Sequence, residues 1–91
     1  MLNIFYSTKA RRDLKKLARQ NKDMGKLEII LDLLAARGKL PESNRDHALT
    51  GNYTGHRGCH VEPDWVLIYR IHEKMLILEA VRTGSHSELF G

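Results

Sequence analysis

The chain of 91 residues is 42% hydrophobic and 29% charged, which is typical of one small globular domain with a single core. It contains no stretch near the roughly 18 uninterrupted apolar residues of a membrane span and no charged and apolar leader of the secretory type, so we expect a cytoplasmic protein without membrane contact. Its single cysteine, Cys59, excludes an internal disulfide and fits a reducing compartment.

The charge of the chain is concentrated in one segment. The formal net charge is +4, but the residues from Lys9 to Lys26 include eight basic and two acidic side chains, a local charge of +6 that leaves −2 for the rest. Such a segment is expected where a protein binds a polyanion or an acidic partner. A solvated lysine-rich face on an ordinary domain has the same composition, so both interpretations stay open here.

The first predicted elements are a strand and a basic helix. Residues 2–7 are mostly apolar and aromatic, which favours a short strand. Ser7 or Thr8 can then cap a helix, since a hydroxyl at that position accepts a free first-turn N–H. The apolar residues of this helix share one face: Ala10, Leu14, Leu17 and Ala18. The outward positions are mostly basic and include Lys15, Lys16 and Arg19.

The second predicted helix runs from Met24 to Arg37, with Asp23 as its N-cap and Gly38 as the C′ residue. Its apolar residues form one wide face: Met24, Leu27, Ile30, Leu31, Leu34 and Ala35. A face of this kind packs in a core, so we assign it no chemistry. The two helices are predicted to form an antiparallel hairpin against a sheet.

The second half of the chain predicts a loop, three strands and a short helix. Residues 39–53 have loop composition and include His47. Three strands, joined by short turns into an antiparallel meander, are predicted over Arg57–Glu62, Trp65–His72 and Met75–Arg82. The second of these is apolar on both faces, so it is predicted to be central. With a short C-terminal helix capped by Ser85, the fold class is α/β of the α+β type, an antiparallel sheet packed by an N-terminal helix hairpin.

The turn between the first two strands of the meander suggests a site. The sequence Glu62-Pro63-Asp64 interrupts strand pairing, because proline lacks a backbone donor and aspartate favours turns. We expect this turn to bring His60, Asp64 and Trp65 together. Imidazole titrates near neutral pH and an indole can stack on a base, although a satisfied histidine beside a core tryptophan would show the same pattern.

A metal site is one interpretation of the histidines, suggested by His56-x-x-x-His60 with Cys59 between them. On a helix these two histidines would share a face, but the segment is predicted to be a strand, in which four residues span about 13 Å. That spacing does not suit one tetrahedral ion. We therefore predict no metal at this motif.

Acid–base catalysis without a metal is the second interpretation. Attack of a ribose 2′-hydroxyl on its own phosphate needs a base, an acid for the departing 5′-oxygen, and a cation for the phosphoryl oxygens. The histidines His47, His60 and His86 can fill the first two roles, and Arg82 the third. Surface histidines on a basic binding domain are the third interpretation, and spacing alone leaves the second and third open.

Three motifs together carry a family resemblance over essentially the whole chain: Arg45-Asp-His-Ala-Leu-Thr-Gly51, His60-Val-Glu-Pro-Asp-Trp65 and Arg82-Thr-Gly-Ser-His-Ser-Glu-Leu-Phe90. They resemble the YafQ-type branch of the RelE/ParE toxin superfamily. The resemblance implies a toxin of a bacterial type II toxin–antitoxin system, an endoribonuclease that cleaves messenger RNA in the ribosomal A site and inhibits translation. It also implies that no metal or other cofactor takes part.

The resemblance implies functional positions at His47, His60, Asp64, Trp65, Arg82, His86 and Phe90, and each carries the expected residue type. We expect His60 or His47 to act as base, His86 as acid, and Arg82 to neutralise charge on the phosphate. Trp65 and Phe90 would stack on or wall in the bases, and Asp64 would orient a histidine. Tyr53 is a departure, because relatives often have tryptophan there.

The implied partners are a cognate antitoxin and mRNA on the ribosome. Lys15, Lys16 and Arg19 of the basic helix would contact ribosomal RNA phosphates or be covered by an acidic antitoxin segment. Operator DNA would be bound only by the toxin–antitoxin complex. The alternatives are a non-catalytic, ParE-like toxin that inhibits gyrase, which should not need all three histidines, and a nucleic-acid-binding or antitoxin-binding module.

Overall fold

The computed structural model describes residues 1–91 as one five-stranded sheet with three α-helices. In chain order the elements are β1 (Asn3–Tyr6), α1 (Thr8–Arg19), α2 (Met24–Ala35), β2 (His47–Ala48), β3 (Arg57–Glu62), β4 (Trp65–His72), β5 (Ile77–Gly84) and α3 (His86–Phe90). Single 3₁₀ turns cover Glu42–Asn44 and Gly51–Tyr53. The predicted fold class is confirmed.

The sheet has the strand order β1-β5-β4-β3-β2. The predicted antiparallel meander of β3, β4 and β5 is confirmed. The remaining pairings were not foreseen from the sequence. Strand β1 runs parallel to β5 at one edge, and the two residues of β2, predicted to be loop, pair antiparallel with β3 at the other.

The helix ends follow from local hydrogen bonds. Ser7 caps α1 by accepting from the Ala10 N–H at 3.0 Å, and the predicted Asp23 cap of α2 is also present. The predicted end of α2 is wrong, because the helix stops at Ala35 and Arg37, not Gly38, takes the left-handed C′ conformation at φ 59°. The N–H groups of Arg37 and Gly38 satisfy the last helical carbonyls.

The core lies between the sheet and helices α1 and α2. Strand β4 contributes its inner face, and the largest buried side chains there are Trp65, Leu67 and Tyr69. Its outer face is also covered, because Val66 and Ile68 pack with Leu89 of α3. The predicted central strand is therefore confirmed, and α3 covers the side of the sheet that the long helices leave open.

The turn between β4 and β5 is longer than predicted. Strand β5 begins at Ile77 instead of Met75, because the chain needs four residues to reverse and Leu76 takes a left-handed φ of 54°. Met75 and Leu76 are consequently exposed. None of the three helices combines the length and apolar character needed to cross a bilayer.

Candidate active site

Register places three of the predicted site residues on the outer face of the sheet. His60 lies opposite Val66, and Arg82 lies opposite Ile68. Gly58, which pairs with Ile68, also pairs with His47. Directly paired residues project to the same side, so His47, His60 and Arg82 share the face covered in part by α3. His60 and Arg82 are two strands apart and offset by two residues along β4, which separates their Cα atoms by roughly 12 Å.

His60 is fixed by the turn that follows β3. The Asn44 amide donates to the His60 carbonyl at 2.7 Å, and the His60 Nδ1 lies 3.2 Å from the Pro63 carbonyl oxygen. A carbonyl oxygen can only accept, so the neutral imidazole carries its proton on Nδ1. The lone pair of Nε2 is then available to accept a proton from a substrate.

His47 has the same arrangement on β2. Its Nδ1 lies 2.7 Å from the Arg45 carbonyl oxygen, which again assigns the proton of the neutral ring to Nδ1 and the lone pair to Nε2. The side chain is exposed. Two histidines on adjacent strands therefore present their unprotonated nitrogen away from the backbone.

Asp64 acts on α3 rather than on an imidazole. Its Oδ1 accepts from the backbone N–H of His86 at 3.2 Å, and no hydrogen bond joins it to a histidine ring. Ser85 and Glu88 close a capping box at the same helix end. Asp64 therefore contacts His86 through its backbone and not through its ring, because the carboxylate lies at the first N–H of α3.

The aromatic side chains beside α3 form a connected strip. The rings of His86 and Phe90 have centroids 4.8 Å apart, and Tyr53 meets Phe90 edge-on at 5.8 Å. Phe90 keeps 39% of its surface exposed. Tyr53, the position that departs from the family pattern, thus packs against the exposed aromatic that could wall in a base.

Trp65 does not face the site, so the prediction that its indole stacks on a base is wrong. The side chain is 1% exposed and belongs to the main core. Its Nε1 donates to the Thr83 hydroxyl at 2.8 Å, which in turn donates to the Val66 carbonyl at 2.9 Å. The indole holds β4 and β5 together, as the core-tryptophan alternative requires.

Arg82 is held by Asp13, a residue that sequence reasoning missed. The Asp13 carboxylate accepts from Arg82 Nε at 2.7 Å and Nη2 at 3.1 Å, and from the Thr83 N–H at 3.1 Å. These bonds lie where β1 no longer pairs with β5. Hydrogen bonding to Asp13 raises the pKa of Arg82. The available signal was an acidic residue within an otherwise basic helix.

Some cations of the basic segment form ion pairs within the molecule. Lys16 forms an ion pair with Glu88 of α3, while Lys22 and Lys26 approach Glu62 at 3.9 and 3.0 Å. The basic side chains of α1 without a carboxylate within ion-pair distance are Lys9, Arg11, Arg12, Lys15 and Arg19. The predicted contact surface therefore keeps Lys15 and Arg19, whereas Lys16 ties α1 to α3.

The site is open and polar. A cavity of about 440 Å³ beside His60 is lined by Ser43, Asn44, Arg45, Val61, Glu62 and Pro63. No three His, Cys, Asp or Glu side chains are grouped as metal ligands. The structure thus provides imidazole nitrogens for proton transfer and a guanidinium for an anion, on one accessible face.

Comparison with known proteins gives a consistent match. A family described as a bacterial toxin of type II toxin–antitoxin systems, YafQ, matches residues 2–91. The mRNA interferase toxin YafQ of Escherichia coli is 43% identical over 90 residues, which cover 98% of this chain and 96% of that protein.

Solved structures agree with the sequence match. In the crystal structure of the Escherichia coli DinJ-YafQ complex, the matched chain is 40% identical, with a TM-score of 0.89. The match covers 100% of this chain and 100% of that chain. A metal-bound toxin from Helicobacter pylori is 40% identical, with a TM-score of 0.94 and coverage of 99% of this chain and 100% of that one.

Proposed function

Because the chain belongs to the YafQ family of toxins of type II toxin–antitoxin systems, we propose that it is an endoribonuclease that cleaves messenger RNA. The observation that carries the proposal is the pair of histidines, His47 and His60, whose Nδ1 atoms both face backbone carbonyls. Both rings therefore offer Nε2 as a base on the face that Arg82 shares.

The proposed reaction is an internal transesterification of the RNA. His60 or His47 accepts the proton of a ribose 2′-hydroxyl through Nε2, and the 2′-oxygen forms a bond to the adjacent phosphorus. The bond to the 5′-oxygen breaks, and His86 donates a proton to that leaving group. Arg82 neutralises the phosphoryl oxygens. The products are a 2′,3′-cyclic phosphate and a 5′-hydroxyl, and no metal is required by this proton balance.

We assign binding of the bases to Phe90 rather than Trp65. Phe90 is exposed beside His86, and an aromatic ring at such a position can stack on a nucleobase. Asp64 has a supporting role, since it accepts from the His86 N–H and so positions the end of α3.

The proposed setting of the reaction is the ribosomal A site in the cytoplasm. The catalytic face is open, and one exposed aromatic offers little grip on a flexible RNA, so a surface that holds the message in line would favour cleavage. The unpaired cations of α1, Lys15 and Arg19 among them, would bind ribosomal RNA phosphates. Lys16 would contribute less, because Glu88 already neutralises it.

The proposed partner is a cognate antitoxin protein. Escherichia coli YafQ has been crystallised in complex with DinJ, and an acidic, partly disordered antitoxin segment could cover the same cations of α1. Operator DNA would be contacted only by the toxin–antitoxin complex.

Primer extension on a defined mRNA in a reconstituted translation mixture tests the proposal. The mixture is run with and without ribosomes, using wild type, His60→Gln and His72→Gln, and EDTA is tested separately on any cleavage seen without ribosomes. His72 is the matched control, because it pairs with Glu79 at the far end of β4. We expect ribosome-dependent cuts that fall about 10²-fold or more in His60→Gln and persist in His72→Gln, and we expect any ribosome-free cleavage to resist EDTA.

Three results would contradict the proposal. Equal cleavage by wild type and His60→Gln, both folded by circular dichroism, would remove His60 from the mechanism. Absence of cuts while the protein still arrests growth would favour a gyrase-inhibiting or purely binding toxin. Loss of ribosome-free cleavage with EDTA would replace the metal-free reaction by a metal-dependent one.

A further inference from the structure

Arg45 lies between the two histidines of the site. The residue before it, Asn44, donates to the His60 carbonyl at 2.7 Å. The carbonyl oxygen of Arg45 itself lies 2.7 Å from the His47 Nδ1. The side chain of Asn44 thus binds the backbone of His60 on β3, while the backbone of Arg45 binds the ring of His47 on β2.

The backbone of Arg45 has an uncommon conformation. Its φ is 49° and ψ is 47°, the left-handed region, which costs a residue with a Cβ roughly 1–2 kcal/mol. Asparagine or glycine occupies this region more readily. A strained arginine beside two predicted catalytic groups is a reason to look for a role of its side chain.

The guanidinium of Arg45 is without an acidic partner. It lines the cavity of about 440 Å³ that contains His60 and an adjoining one of about 400 Å³ shared with Lys39 and Arg57. Glu62, the acid of the first cavity, is already approached by Lys22 and Lys26. The second cavity has two acids: Asp46 accepts from Arg57 at 3.1 Å and from Tyr69 at 2.7 Å, and Glu42 has no cation within ion-pair distance. Arg45 thus stands at the junction of two cavities without an ion-pair partner.

We propose that Arg45 is an RNA-binding residue whose guanidinium binds the phosphate next to the scissile phosphate. The inference rests on the proposed ribonuclease function, and it adds a subsite beside His60 at the edge of the sheet. A guanidinium suits this role because its N–H groups can contact two phosphate oxygens at once. Arg82 keeps the separate task at the scissile phosphate.

Arg45→Asn tests the proposal without straining the backbone, because asparagine tolerates left-handed φ. Arg37→Asn is the matched control, since Arg37 has a similar φ of 59° and pairs with Glu73 near the far end of β4. Both variants lose one positive charge. We expect thermal midpoints no lower than wild type for Arg45→Asn, and a small decrease for Arg37→Asn from the lost surface ion pair.

Single-turnover cleavage on mRNA-programmed ribosomes gives the first readout. For Arg45→Asn the toxin concentration at half-maximal rate should rise about 10-fold, the effect of one lost charge-assisted contact, while the plateau rate changes less than about 3-fold. Arg37→Asn should match wild type in both. An unchanged half-maximal concentration, or a loss confined to the plateau rate, would overturn the binding role.

Binding to a 2′-O-methylated oligoribonucleotide, followed by fluorescence anisotropy across a series of KCl concentrations, gives the second readout. Loss of one phosphate contact should reduce the salt slope by about 0.7 for Arg45→Asn and leave it unchanged for Arg37→Asn. An unchanged slope in Arg45→Asn would overturn the proposal. This oligonucleotide cannot be cleaved, so it tests binding separately from catalysis. If the wild-type protein binds it but cuts no mRNA, the result contradicts the ribonuclease function and leaves the binding role of Arg45 open to the slope test.

Discussion

Removal of Asp13 should destabilise the protein far more than removal of the other acid in the basic segment. Asp13 accepts from Arg82 Nε and Nη2 and from the Thr83 N–H. The side chains of Arg82 and Asp13 are only 23% and 14% exposed. In Asp13→Ala the guanidinium of Arg82 would stay partly buried without its carboxylate partner. The backbone N–H of Thr83 would also lose its acceptor.

The magnitude follows from that geometry. Breaking a fully buried ion pair costs about 3–5 kcal/mol, and the partial exposure of this pair reduces the expected loss to about 2–3 kcal/mol. For a domain of this size, each kcal/mol lowers the thermal midpoint by roughly 4–8 °C, so the midpoint should fall by roughly 8–24 °C. Asp13→Asn, which keeps one carbonyl oxygen as acceptor, should lose less.

Asp23→Ala is the control for Asp13→Ala. It removes the same charge from the same segment, but Asp23 only caps α2 by accepting from the Gly25 N–H at 3.1 Å, worth about 1 kcal/mol. Differential scanning calorimetry of both variants measures the difference. Equal midpoints would refute the assignment of Asp13 as the anchor of Arg82. Cleavage measured below both midpoints should be reduced only in Asp13→Ala, because only there is Arg82 released.

Two further predictions concern Trp65 and Glu88. Trp65→Phe should lower stability by about 1–3 kcal/mol, because the Nε1 bond to Thr83 and side-chain volume are lost. Cleavage measured below the thermal midpoint of this variant should stay near wild type. A stable but inactive variant would restore a base-stacking role. Hydrogen bonding to Lys16, with further bonds from Ser85, lowers the pKa of Glu88, so its stabilisation of α3 should be complete above the ordinary glutamate pKa and be lost as pH falls toward the lowered value. The protection factors of the α3 amides, which are corrected for the intrinsic pH dependence of exchange, should fall over that acidic range in wild type and not in Glu88→Gln. Identical profiles would contradict the pairing.

Much of the fold was predictable because its signals are local. The Ser7 and Asp23 caps act within three residues of themselves, and the apolar spacing of α2 identifies its buried face without any other element. The meander was equally predictable, because strands that are joined by short turns pair antiparallel. Element ends were less secure, as the left-handed Arg37 and the longer β4–β5 turn show.

The contacts that decide the site are distant in sequence, and so were missed. Asp13 and Arg82 are separated by 69 positions, and Lys16 and Glu88 by 72. A strand that is apolar on both faces does not reveal which face meets the long helices, so Trp65 could be taken for a surface indole. The histidines were found because their residue type alone indicates chemistry, whereas an arginine such as Arg45 stands out only through its backbone angle and its cavity.

The parallel pairing of β1 with β5 also sets an order of events during synthesis. Strand β5 lies between β1 and β4 in the sheet, although it is the last strand to leave the ribosome. Until it emerges, β1 has no neighbour and Asp13 has no arginine to bind. The N-terminal part of a domain can fold during synthesis only when that part completes a core. The proposed catalytic face is therefore complete only after β5 has been synthesised, because Arg82 lies on that strand.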